Sequence, residues 1–144
     1  MSSFGVATRR STSSLDSEQV VPTVLPEGDA HLVDAYLRHY ATGDQSLLWA
    51  FSEVNAITFR QAERGWNIAL ALIAAAPTDD ALGYVVAGPL EEVLEVHGNL
   101  LMDLVEERAL VDAKFRNALS RVVCFDDSMP SHIRDRINRV TGRI

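Results

Sequence analysis

The sequence predicts an all-α fold, a compact orthogonal bundle of six or seven short helices, with HEAT-like stacking of helical hairpins as the alternative arrangement. Three observations predict it. Apolar residues recur every three to four positions through most of the chain after residue 26. Helix stops and starts punctuate these stretches at Gly43-Asp44, Pro77-Thr78, Gly88-Pro89 and Asp112. The one strand-like run, Gly83 to Val86, has no second strand to pair with. There is no fixed-period repeat, which disfavours a true solenoid.

Residues 1–26 are rich in Ser and Thr and have no hydrophobic period. Such a segment buries too little surface to offset its ordering entropy, so a disordered tail is expected there. Val20, Val21, Val24 and Leu25 are its only candidates for docking on the rest. A single helical domain is expected over residues 27–144.

Pro26, Glu27 and Asp29 open the first helix, with acids at the positive end of its dipole. Leu32, Val33, Tyr36, Leu37 and Tyr40 form its apolar stripe, and Gly43 ends it. Asp44 caps a second helix over residues 45–55, carrying Leu47, Leu48, Ala50, Phe51 and Val54. A third helix is expected from Thr58 to Ala76. It is apolar almost all round after Trp66, which places it at the centre of the domain. Burial is expected for both Trp66 and Trp49.

Thr78 or Asp79 caps a short helix reaching Val86 or Ala87. Gly88 is expected to end it, and Pro89 to restart a helix at its first position, where no amide is needed. Glu91 and Glu92 then fall in a first turn, where negative charge is favoured. The helix from Pro89 to Leu110 is the longest. Leu90, Val93, Leu94, His97, Leu101, Leu104, Val105 and Ala109 fall on its inner side. Gly98 in its middle costs about 1 kcal/mol against Ala, which a closely packed neighbour or a kink would explain. Asp112 caps the next helix, with Phe115, Leu119 and Val122 or Val123 inward. Ser131 is expected to cap the last, with Ile133, Ile137 and Val140 inward and Arg134, Arg136, Arg139 and Arg143 outward.

At this point a resemblance emerges. Trp66, then Gly88-Pro89-Leu90-Glu91…Leu94…His97-Gly98, then Asp112…Phe115-Arg116…Ala118-Leu119 resemble a family of small bacterial all-α proteins of uncharacterised function. The likeness spans roughly residues 30–140. Where that family carries Pro-Glu shortly before the Trp, this chain has Ala62-Glu63. The resemblance implies the helical fold and an accessory role, in some members beside toxin or secretion systems. It implies no activity.

Net charge is −7, unevenly placed. Residues 79–112 hold nine acids and one Arg, a balance of −8, while residues 113–144 are net basic. An acidic middle of this kind repels nucleic acid and attracts a basic partner. Glu91, Glu92, Glu95, Asp103, Glu106 and Glu107 are the candidate partner-binding residues. The Arg strip near the C-terminus is expected to pair with the chain's own acids.

Catalytic spacing is lacking. Glu91 and His97 are six positions apart and diverge by 120° around a helix, so they do not share a metal on one face. His97 lies on the apolar stripe, as a packed histidine does. His31, His39 and His132 are scattered, no metal-ligand spacing or phosphate-binding loop occurs, and no cofactor is expected. Adjacent acids point apart on a helix and make no acid–base dyad. Cys124 has no disulfide partner, which suits a reducing cytoplasm, and reads as a small apolar residue. No stretch approaches the ~20 apolar residues a membrane span needs, and no signal peptide is evident. The expected function is that of an acidic cytoplasmic interaction module, concretely an immunity or inhibitor protein against a basic toxin or effector. The alternatives are an enzyme with a site at Glu91 and His97, or a structural accessory protein.

Overall fold

Helix ends and close approaches decide how this chain folds. The computed structural model describes residues 25–122 and 129–142. Expectations for residues 1–24, for Val123, Cys124, Asp126 and Asp127, and for Arg143 lie outside the described residues. Within them the chain is helical, with no strand: α1 (Glu27–Thr42), α2 (Leu48–Arg60), α3 (Ala62–Ala75), α4 (Asp79–Val85), α5 (Glu91–Val111), α6 (Ala113–Ser120) and α7 (Ser131–Thr141).

α1 ends as expected at Gly43, whose φ of 69° is left-handed and whose amide donates to the His39 carbonyl. Asp44 accepts from the Ser46 amide at 2.9 Å. The turn it caps is a 3₁₀ turn, Gln45–Leu47, that leads into α2. α2 then runs to Arg60, further than expected, and the third helix begins at Ala62 rather than Thr58. One extended residue, Gln61, makes the break. Gly65 lets α3 cross against α2 there, since a Cβ on it would lie 2.9 Å from the Thr58 Cα.

The Gly88-Pro89 step departs most from expectation. It does not stop one helix and start another. Backbone angles stay right-handed through Val85, Val86, Leu90 and Glu91, and residues Val86–Leu90 form one π-turn with Pro89 inside it. Proline cannot donate to the carbonyl four residues back, and its ring crowds that carbonyl. A wider turn relieves both problems and keeps the helix going. The Glu91 amide is already bonded to the carbonyls of Val86 and Gly88. Glu91 and Glu92 therefore do not sit at an open helix N-terminus.

The interior is one cluster of buried apolar residues drawn from all seven helices. As expected, α3 lies at its centre, touching α1, α2, α4, α5 and α6. α7 packs on α5 and α6. Gly98 explains itself here: a Cβ would stand 3.3 Å from three carbons of Ile133, so its absence seats α7 on α5. Two inward assignments are corrected. Trp49 is 46% exposed, stacked on His31 at the surface, and Leu104 is 46% exposed. Each lies at the edge of a helix pair, Trp49 beside α1 and Leu104 beside α3, and is only half covered. Ser131 is not a cap either. Pro130 holds the cap position, and no side chain bonds there.

Candidate functional site

The segments that look most like a signature are largely occupied with helix ends. The last carbonyls of an α-helix have no partner within it. In α2, Ile57 is served by the Gln61 amide, and the Thr58 carbonyl is met by His97 Nε2 at 3.0 Å. A carbonyl only accepts, so Nε2 carries the proton. Thr58 Oγ1 in turn donates to Glu92 at 2.8 Å, which ties α2 to α5 at a second point. At the end of α3, Lys114 Nζ donates to the Ala74 and Ala76 carbonyls at 3.0 and 3.2 Å. At the end of α5, Arg116 donates to the Ala109 carbonyl. Asp112 accepts from the Phe115 amide, which starts α6, and pairs with Arg108 at 3.1 Å. Gly88 lies against the Tyr36 hydroxyl, while Pro89 and Leu90 are buried.

The acids proposed for partner binding do not form one face. Glu92 and Glu95 line a cleft against α1, α2 and α4. Asp103 and Glu106 turn to α7, where Arg136 bridges them, donating to Glu106 through Nε at 2.9 Å and Nη2 at 2.7 Å, and to Asp103 at 2.8 Å. That hydrogen bonding holds the Glu106 carboxyl below the usual glutamate range. Glu91 is half-buried, and Glu107 is exposed. The expected pairing of the C-terminal Arg strip with the acidic middle is thus present at Arg136. His132 adds a bond to Asn99 at 2.7 Å.

Glu107 stands instead on the rim of a groove between α3 and α5. The groove has a volume of about 370 Å³ and is walled by Trp66 and Leu70 from α3 and by Leu104 and Val111 from α5. Its other rim residue, Arg108, is committed to Asp112. The groove continues an exposed apolar stripe. Leu100 is 75% exposed and Val111 59%, and Val96 lies in the same row. Successive spacings of four, four and seven put Val96, Leu100, Leu104 and Val111 within one sector of α5, along the edge of the buried row. Phe59, 57% exposed at the end of α2, follows the residue that His97 anchors. Sequence reasoning missed this stripe by assigning α5 a single apolar side, although the second spacing was present.

Among the described residues, no group of three or more His, Cys, Asp or Glu is placed to hold a metal ion, and no helix is long and apolar enough to cross a membrane.

Compared with known families, residues 38–144 match the model of a family of unknown function (DUF6869). No curated protein and no solved structure matches the chain.

Proposed function

The chain belongs to that family of unknown function, and we propose that it is a protein-interaction module whose α3–α5 groove receives the apolar face of a basic amphipathic helix. One observation carries this reading. Leu100, Leu104 and Val111 stand exposed in a row beside a groove that reaches the Trp66 ring. Large apolar side chains in a row are costly to leave in water; complete burial of a fully exposed one is worth about 1.5–3 kcal/mol, and covering these half-exposed ones a corresponding fraction of that. A helix laid in a groove with apolar anchors every third or fourth residue fits this shape.

Charge selects the partner. Of the acids in residues 79–112, Asp79, Asp103, Glu106 and Asp112 pair with the chain's own Arg residues, while Glu107 is exposed on the groove's rim. Basic residues on the flanks of a docked helix would meet that charge, an attraction that steers association and weakens with salt. A toxin or effector silenced by having such a helix covered is the concrete form of the proposal. The bonding of His97 to Thr58 supports a structural task for that residue rather than a catalytic one.

Titration calorimetry with two synthetic peptides tests the reading. One is a basic amphipathic helix, and the other has the same composition scrambled so that its apolar residues scatter. The reading expects the first to bind and the second to bind at least about tenfold more weakly. It also expects Leu104→Asp to abolish the difference. Equal binding of both peptides, or a Leu104→Asp variant that binds like the parent, would overturn it.

A further inference from the structure

Glu107 interrupts the apolar row of the α3–α5 groove. Leu100, Leu104, Glu107 and Val111 follow one another along α5 at spacings of four, three and four. That is the spacing of a helical seam, along which side chains of a second helix interlock. The three apolar members are large and exposed, and the remaining one is a carboxylate. Glu107 lines the groove together with Leu104 and Val111. Among the described residues its carboxylate has no hydrogen-bond or salt-bridge partner. The charges beside it are matched already. Arg108, the other charged residue of the groove, holds Asp112 at 3.1 Å. Asp103, one turn earlier on α5, is held by Arg136 at 2.8 Å.

A helix that covers this seam takes water away from the carboxylate. If the covering side chains are all apolar, the charge loses its hydration and gains no partner, which is expensive. A second copy of the same seam fares no better. Laid parallel and in register, it sets Glu107 against Glu107, and like charges at an interface repel. Turned end for end about the seam's midpoint, it sets Glu107 against Leu104. An arginine in the facing position meets the carboxylate instead. Its guanidinium is planar, stays charged, gives up water more readily than an ammonium and donates two parallel hydrogen bonds to a carboxylate. We propose that Glu107 selects the partner: the docked helix carries one arginine inside its apolar row, opposite Glu107, with large apolar residues three or four positions to either side that meet Leu104 and Val111. This selection rests on the helix-in-groove reading and narrows it, because the basic residue that counts lies within the row and not on its flanks.

Calorimetry of the full chain with two helical peptides of identical composition and net charge tests it. One carries an Arg within a row of Leu. The other exchanges that Arg with an outward-facing Leu, which leaves the row wholly apolar. The first is expected to bind about tenfold more tightly than the second. Glu107→Gln should bring the two within about twofold of each other, and Glu107→Leu should reverse their order. Glu107 is exposed, so both variants are expected to melt as the parent does. If the wholly apolar row binds the parent as well as the Arg peptide or better, selection by Glu107 is overturned while the groove reading stands. A Glu107→Gln variant that keeps the tenfold preference overturns it in the same way. If neither peptide binds, the groove reading itself fails and the selection falls with it.

Discussion

Trp66 and Phe115 meet edge to face, with ring centroids 5.4 Å apart and ring planes at 88°. The contact joins α3 to α6, and so joins two sequence segments nearly fifty residues apart that look like one signature. Phe115 is fully buried and Trp66 nearly so. Phe115→Ala should cost about 3–5 kcal/mol through lost burial and the cavity left behind. A double-mutant cycle with Trp66→Leu, followed by urea unfolding, should leave a coupling of about 1 kcal/mol for the ring pair. Simple additivity would mean that the rings are neighbours without interaction.

Two glycines should respond in opposite directions to the same change. Gly83 lies in α4 with open space where a Cβ would stand, so Gly83→Ala should stabilise by about 0.5–1 kcal/mol. Gly65→Ala would push a methyl to within 2.9 Å of the Thr58 backbone, where nothing flexible yields. It should destabilise by about 1–3 kcal/mol and separate the ends of α2 and α3. Thermal melts of the two variants check both signs.

His97→Ala should remove the partner of the Thr58 carbonyl and cost about 1–2 kcal/mol. Its effect is expected on melting temperature and on amide exchange in the last turn of α2. Binding at the α3–α5 groove should be unchanged at temperatures where the variant is folded. A loss of binding without a loss of stability would give His97 a direct role instead.

Arg136 should leave a signature in pH. Its hydrogen bonds hold the folded-state pKa of Glu106 below the unfolded value. A depressed carboxylate contributes stability that is fully present above the ordinary glutamate range and is lost as pH falls through the folded-state value. The stability gap between the parent and Arg136→Gln should therefore be full at neutral pH and close in acid. Urea midpoints measured across that range check it. High salt should narrow the same gap.

Much of this architecture is legible in the residues. The Val93, Leu94, Leu101, Val105 and Ala109 row marks the buried side of α5 because a packed helix repeats its apolar face at 3.6. Gly43, Asp44, Thr78 and Asp112 mark helix ends through local chemistry, and each acts where expected. What was not legible depends on neighbours distant in sequence. The break at Gln61 has no Gly or Pro to announce it, and it arises where α3 crosses α2 at Gly65. Gly88-Pro89 reads as a stop and a start, yet a π-turn absorbs the proline inside one helical run. Leu104 belongs to the inner stripe by spacing, but it faces the open groove between α3 and α5 and stays 46% exposed. Of the candidate site, the acids were legible from charge alone. Their division between Arg136, the cleft against α1, α2 and α4, and the α3–α5 groove required coordinates.

The α3–α5 groove has a reporter built into its wall. In a Trp49→Phe variant the remaining indole is Trp66, which lines the groove and is otherwise buried. Adding the basic amphipathic peptide should shift and saturate its emission. The response should weaken with salt and vanish when Leu104→Asp is added. An emission that does not change while the peptide binds would place the contact elsewhere and contradict the account.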